Sequence, residues 1–158
     1  MSAAQRNRGA RAEVQVVNYL RSVGYPDARR YLAGDGRQPG DIDWHPLVCL
    51  EVKDVAASSW PSWCRQAAAE APPGTIPMVV RRTRGAADPG LWECRVQGWR
   101  WFTVTDPSPF DLPGAVEHFV RQGDGDDWPW IASTFAAVIA AVRALDASPP
   151  EVAEQVQT

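Results

Sequence analysis

The sequence predicts an α/β fold, with a central mixed β-sheet flanked by helices and a C-terminal helical extension. Apolar residues alternate between helical and strand-like spacing through the first 105 residues, as in an α/β sandwich. Beyond residue 106, prolines at positions 107, 109 and 113 mark a connector. With 158 residues, of which 45% are hydrophobic, the chain suffices for one domain with a core. We expect a domain over residues 1–105, a helical extension over 106–148 packed on it or at a dimer interface, and a loose tail over 149–158.

The first predicted element is an amphipathic helix over residues 10–23. Its apolar residues, among them Val16 and Val17, follow helical spacing, and Gly24 and Pro26 end it. Glu13 lies one turn before Val16, at the edge of the buried face. A carboxylate there is costly unless it has a role.

A β-hairpin follows a short strand predicted over residues 29–33 and a turn-rich loop over 34–40. Its arms span residues 40–44 and 47–53, and His45-Pro46 forms the turn. The second arm is apolar almost to its end, as in a central strand. Because side chains two apart on a strand share a face, Glu51 and Lys53 point the same way.

The remaining elements alternate between helices and strands. A helix begins after Ser58 or Ser59 and stops before Pro72 and Pro73. Strands are predicted over residues 76–82, 91–97 and 99–104, with a basic loop between the first two. Helices are predicted over residues 113–121 and 131–145, the second with the apolar spacing of a helix that packs on a core or an interface.

Charge is unevenly distributed along the chain. The net charge is −3, but residues 1–105 carry 14 basic and 10 acidic side chains, whereas 106–158 carry 2 and 9. The first part is therefore suited to a polyanion such as DNA. Phosphate contacts are expected from arginines, although a solvated basic surface is an alternative. The candidates are Arg8, Arg11, Arg81, Arg82 and Arg84.

Three cysteines without a CxxC pair indicate reduced thiols rather than a zinc site. No segment has the apolar length of a secretory signal or a membrane span. We expect a protein of the bacterial cytoplasm, encoded by the bacterium or by a phage, with no membrane partner.

Four ionisable residues could hydrolyse a phosphodiester. Divalent-metal hydrolysis requires hard oxygen ligands and a group that positions the attacking water. Asp41 opens the first arm of the hairpin, across from Glu51 near the end of the second, so two carboxylates lie within reach of one ion. Lys53 can hold the water and offset charge on the phosphate, and Glu13 can bind a second metal or its water. Lys53 is the only lysine beside 15 arginines, which suggests a position that arginine cannot fill.

These residues resemble a known family. The run Arg8 to Glu13, then Gly40-Asp41, Glu51-Val52-Lys53 and Gln66, is similar to the PD-(D/E)XK nuclease superfamily, above all to archaeal-type Holliday junction resolvases and their phage relatives. The resemblance covers residues 6–100.

It implies a restriction-endonuclease-like sheet, with Mg²⁺, or Mn²⁺ in its place, bound by Asp41, Glu51, the Val52 carbonyl and Glu13. It also implies that Lys53 orients the nucleophilic water and that Gln66 supports the site.

The expected function is therefore that of a metal-dependent DNA endonuclease acting on four-way junctions, as a homodimer because one junction needs two cuts. One alternative keeps the chemistry on flaps, ends or duplex DNA. Another is a non-catalytic DNA-binding or assembly protein that retains the fold. Trp60, Trp63, Trp99 and Trp101 could stack on bases, but packing is favoured. Asp43 is interpreted as a structural residue of the hairpin rather than a ligand.

Overall fold

A computed structural model describes residues 3–31, 40–98, 118–120 and 130–147. Helices and strands alternate along the chain, as the sequence predicts for an α/β fold. Their order is α1 (Ala3–Ser22), β1 (Arg29–Arg30), β2 (Ile42–Asp43), β3 (Val48–Lys53), α2 (Trp60–Glu70), β4 (Ile76–Arg81), a 3₁₀ turn (Pro89–Leu91), β5 (Glu93–Gln97), β6 (His118–Val120), β7 (Trp130–Thr134) and α3 (Phe135–Ala147).

The described strands form one mixed sheet, in the order β1-β2-β3-β4-β5-β7-β6. β3 and β4 are parallel, and every other neighbouring pair is antiparallel. A parallel pair needs a long crossover connection, and α2 supplies it. The central strands β3 and β4 are buried except at their last residues, Lys53 and Arg81, because both faces of the sheet are covered there.

The two faces of the sheet carry different residues. On one, here called the apolar face, helices α1 and α3 pack with the sheet around a single buried cluster that includes Leu50, Met78 and Ile131. On the other, the α2 face, Trp60 and Cys64 of α2 pack on Val79 and Trp130. Because side chains alternate along a strand, the polar residues of β3, β4 and β5 point to the α2 face. They are Glu51, Lys53, Arg81, Glu93, Arg95 and Gln97.

The prediction of a helical extension over residues 106–148 was wrong in part. Residues 118–120 form a strand inside the helix predicted over 113–121, and residues 130–134 form β7 where the next helix was predicted to begin. β7 pairs with β5, which would otherwise be an open edge. The Thr134 hydroxyl accepts the Ala137 N–H at 3.3 Å, so α3 begins at Phe135 with a side-chain cap.

The other predicted elements are present with shifted ends. α1 begins at Ala3 rather than near residue 10, and the strand predicted over residues 29–33 is described only as Arg29–Arg30. The strand predicted over 99–104 and the tail over 149–158 lie outside the described residues. Within those residues, each helix is too short or too polar to cross a membrane.

Candidate active site

The hairpin brings Asp41 close to Glu51. Ile42 of β2 is paired with Leu50 of β3, and Asp41 directly precedes β2. The Asp41 carboxylate accepts the N–H of Val52, the residue after Glu51, and the charge of Glu51 raises the pKa of Asp41. The two carboxylates that the sequence predicted to meet therefore lie near each other.

The backbone at Gly40 fixes the position of the Asp41 carboxylate. Gly40 has φ +77°, and a Cβ there would lie 2.6 Å from the Leu50 carbonyl oxygen, so only glycine fits. Immediately after it, the Asp41 N–H donates to that carbonyl at 2.7 Å. The Asp41 Oδ2 then accepts the Val52 N–H at 2.7 Å, taking the place of a strand carbonyl. The Oδ2 atom of Asp41 is thus anchored to β3, and Oδ1 takes no part in that hydrogen bond.

Lys53 pairs with Glu51 on the α2 face. The Lys53 Nζ donates to the Glu51 Oε2 at 3.0 Å, and the two side chains are only 18% and 7% exposed. A buried charged pair of this kind loses hydration free energy, and the attraction between its two charges offsets that loss only in part. The ammonium is nevertheless held at the carboxylates, where it can act on a bound group.

The charge balance of the site is unfavourable without an additional cation. Burial raises the pKa of Asp41 to about 7, and the negative charges of Glu51 and Glu13 add to this, against the Val52 N–H and Lys53. Burial also raises the pKa of Glu51, opposed by Lys53 and reinforced by Glu70. Two crowded carboxylates share one ammonium, so a divalent cation between them would relieve their repulsion.

The donor set fits a hard cation such as Mg²⁺. Carboxylate and carbonyl oxygens are its preferred protein ligands, and Mg²⁺ commonly binds through only one or two carboxylates. Among the described residues, no group of three or more acidic, histidine or cysteine side chains is arranged to hold a metal. The site therefore offers Asp41, Glu51 and the backbone next to them rather than a complete cage.

Glu13 lies near the pair but has its own partner. Its Oε2 accepts from the Arg30 Nε at 2.6 Å, and its side chain is 18% exposed. Its charge still contributes to the raised pKa of Asp41. Glu13 is thus a carboxylate at the margin of the site, balanced by an arginine that the sequence analysis did not assign to it.

Gln66 and Glu70 approach the site from α2. Gln66 is exposed, and its Nε2 donates to the Glu70 Oε1 at 3.0 Å. Glu70 also lies close enough to Glu51 for its charge to contribute to the raised pKa of Glu51. Sequence reasoning named Gln66 but missed Glu70; the available signal was its spacing of four residues from Gln66, which places both on one side of the helix.

Predicted phosphate contacts line a cleft beside the site. This cleft, of about 310 Å³, is lined by Arg8, Arg82 and Arg84 together with Asp54, the residue after Lys53. Arg82 pairs with Asp54 at 3.1 Å. Three guanidinium groups around one carboxylate leave the cleft positively charged.

A second cleft adjoins the first at Arg82. It measures about 600 Å³ and is lined by Arg11 and Arg30 as well as neutral residues of α1. Arg81 lines neither cleft, because it follows the alternation of β4 onto the α2 face and lies 3.8 Å from Glu93. Four of the five predicted arginines therefore line adjoining clefts, and the fifth lies across the sheet.

Two other predictions concern residues near the site. Asp43 pairs with Arg29 at 2.7 Å across β1 and β2, as expected for a structural residue. Trp60 is buried in a T-shaped contact with Trp63, the ring centroids 5.3 Å apart, which indicates packing. Trp99 and Trp101 lie outside the described residues.

The chain matches no protein-family model, no curated protein and no solved structure.

Proposed function

We propose that the protein is a metal-dependent DNA endonuclease of the restriction-endonuclease-like type, acting as a Holliday junction resolvase does. The observation that carries this is the proximity of Asp41, bonded to the Val52 N–H, and Glu51, with the Lys53 Nζ 3.0 Å from Glu51. Two carboxylates and an ammonium at the end of a central strand are the groups that metal-assisted phosphodiester hydrolysis requires.

Asp41, Glu51 and the Val52 carbonyl would hold Mg²⁺, or Mn²⁺ in its place, with Glu13 at the margin. When bound, the cation supplies Lewis acidity toward the phosphate and lowers the pKa of a bound water. Lys53 positions the attacking water and places a positive charge against the phosphate as its negative charge grows. In-line attack breaks the bond from phosphorus to the 3′ oxygen, leaving a 5′-phosphate and a 3′-hydroxyl. Gln66 acts indirectly, by orienting Glu70 toward Glu51.

The arginine-lined clefts support DNA as the substrate. Arg8, Arg82 and Arg84 surround a concave surface that begins one residue after Lys53, and the second cleft, with Arg11, continues it. A polyanion lying in both clefts would pass beside the proposed catalytic groups. The net charge of −3 is compatible with this because the basic residues are concentrated here.

A homodimer would provide the two cuts that a junction needs. The apolar side of α3 is not the surface for it, since Phe135, Val138 and Val142 are buried against the chain's own sheet. The dimer is proposed to form through another surface.

The test is cleavage of labelled four-way junction, flap and linear duplex with Mg²⁺, Mn²⁺ or EDTA. We expect cutting of the junction in Mg²⁺, its loss in EDTA, and a loss of about 10³-fold in Lys53→Ala, the usual scale for removing a group that stabilises transition-state charge. Asp41→Asn and Asp43→Asn form a matched pair two residues apart. Only the first is expected to abolish cutting.

Each outcome assigns the function differently. Cutting of linear duplex alone would replace the resolvase with another nuclease of the same chemistry. Tight binding without cutting in any metal would favour a non-catalytic DNA-binding protein. Full activity of Lys53→Ala would contradict the proposed site.

A further inference from the structure

The α2 face extends the site across three strands. Lys53 of β3 is paired with Arg81 of β4, and Arg81 is paired with Glu93 of β5, so the three side chains form a row on one face. Two pairs further into the sheet, and on the same face, Val79 lies opposite Arg95. Lys53, Arg81 and Arg95 are therefore grouped around Glu93 within a few cross-strand spacings of about 4.5–5.5 Å.

The guanidinium groups of Arg81 and Arg95 are incompletely paired. The Nε of Arg81 and both the Nε and Nη1 of Arg95 are buried and have no hydrogen-bond partner among the described residues. Arg95 is only 8% exposed, and its guanidinium carbon lies 4.3 Å from the centre of the Trp60 ring. Stacking on an aromatic ring stabilises the charge but accepts no hydrogen bonds from the edge of the guanidinium.

The negative charge of Glu93 offsets the positive charges of the two arginines only in part. Its Oε1 lies 3.5 Å from the Arg95 Nη2, and its Oε2 lies 3.8 Å from the Arg81 Nη1. These distances exceed those of a good charge-assisted hydrogen bond, roughly 2.7–2.9 Å. A single carboxylate thus faces two guanidinium groups without bonding closely to either.

The row is open at one end and closed at the other. The side chain of Glu93 is 39% exposed and that of Arg81 is 22% exposed, whereas that of Arg95 is 10% exposed. The exposed end of the row, at Glu93, is the side from which a small anion would approach Arg81, and the buried Arg95 stacks on Trp60. Phosphate matches this geometry because guanidinium groups bind its oxygens through paired N–H donors.

We propose that Arg81 and Arg95 form a phosphate-binding site beside Lys53, for which Glu93 is a displaceable counter-ion. This proposal rests on the proposed function, and its occupant is the phosphate that follows the cleaved phosphate along the DNA strand. This places substrate on the α2 face as well as in the clefts near α1. The strand would pass over the end of β3, where both surfaces meet.

The first experiment uses inorganic phosphate as the probe and does not depend on nuclease activity. Isothermal titration is expected to show binding by the wild type, loss of binding in Arg95→Met, and binding about tenfold tighter in Glu93→Gln, because the competing carboxylate is gone. Arg65→Met removes an exposed arginine of α2 and is expected to bind as the wild type does. Circular dichroism checks that each variant is folded.

The second experiment measures binding of labelled duplex DNA against salt concentration in EDTA. Loss of one phosphate contact lowers the slope of log affinity against log salt by about 0.9, and Arg95→Met is expected to show this decrease. Because Glu93 is partly exposed, Glu93→Gln remains informative even where Arg95→Met does not fold.

The two proposals fail in different ways. Phosphate binding that depends on Arg95 and Glu93 in a protein that cuts no DNA would retain this site and refute the nuclease. Junction cutting with no phosphate binding by the wild type, or with Glu93→Gln binding no tighter, would overturn this site and retain the nuclease.

Discussion

The apolar face and the α2 face are built from the same strands but differ in what they bury. α1 and α3 cover the first with hydrophobic side chains, and the cluster there extends from Ala12 to Val142. The second buries Glu51, Arg95 and Gln97. Four of the six buried side-chain polar atoms without a partner in the described structure belong to its residues. Since each such atom costs free energy, the apolar face stabilises the fold, whereas the α2 face buries polar groups at a cost to stability.

The largest expected effect tests the apolar face. Phe135 is fully buried and lies 5.5 Å from the Tyr19 ring. Phe135→Ala should lower the free energy of unfolding by about 3–5 kcal/mol through lost burial and a cavity. Urea denaturation measures this, with the exposed Val14→Ala as control at less than about 0.5 kcal/mol. An effect of Phe135→Ala as small as the control's would remove the contrast between the faces.

Substitution of Gly40 tests how tightly the fold fixes the hairpin that carries Asp41. Gly40→Ala introduces both a positive φ and a contact with the Leu50 carbonyl, so we expect a loss of about 2–3 kcal/mol together with loss of activity. Gly74 has nearly the same φ, +79°, but no atom lies within 4 Å of a Cβ placed there. Gly74→Ala should cost about 1 kcal/mol and leave activity intact. Equal losses of stability for Gly40→Ala and Gly74→Ala in thermal melts would show that the positive φ alone, and not the contact with Leu50, causes the destabilisation.

The pH dependence of stability sharpens the comparison from the α2 face. The folded-state pKa of Asp41, about 7, lies above its ordinary value of 3.8, so the folded protein holds a proton that the unfolded chain releases. The contribution of Asp41 to the free energy of unfolding is fully present below about pH 4 and is lost as pH rises through 7. Asp41→Asn should remove this group's part of the dependence and stabilise the protein at pH 8 by on the order of 1–3 kcal/mol.

The control for this measurement is Asp43→Asn, which alters a largely exposed ion pair and should shift stability by less than about 1 kcal/mol. Mg²⁺ added at pH 8 should raise the melting temperature of the wild type but not of Asp41→Asn. A wild-type stability that is flat from pH 4 to 8 would contradict the crowding of carboxylates described here.

The smallest loss of stability is expected at the edge of the apolar face, where the polar side chains have hydrogen-bond partners. Tyr25 donates to Asp146 at 3.0 Å, and the His45 Nε2 lies 2.9 Å from the same carboxylate. Tyr25→Phe should cost only about 0.5–1.5 kcal/mol in urea denaturation and leave activity unchanged. A loss above about 3 kcal/mol would show that this edge, rather than the buried cluster, holds α3 in place.

The hairpin and its carboxylates could be predicted because the relevant signals are local. Glu51 and Lys53 are two residues apart on an apolar strand, and one turn separates that strand from Asp41. The partners of Glu13 and Glu51 on other elements could not be predicted, since nothing local indicates that Arg30 or Glu70 folds next to them. Arg95 was missed because a charged residue in a short strand gives no sign that it is buried.

The error beyond residue 106 has a different cause. Ile131 and Phe135 fit a helical repeat as well as a strand followed by a helix, and periodicity does not separate the two over so few residues. The strand is selected by pairing with β5, which is a property of the whole sheet. The Ser133-Thr134 pair was the available local signal, because a threonine is a favoured residue just before a helix.

The insertion of β7 beside β5 has a practical consequence for expression fragments. A piece ending at residue 98 would contain Asp41, Glu51 and Lys53, yet it would expose the backbone of β5 and the core surface that Phe135 and Ile139 cover. Unpaired strand edges next to bare hydrophobic surface recruit other molecules of the same kind. Such a fragment should precipitate, so shortened versions made for biochemistry need residues 130–147.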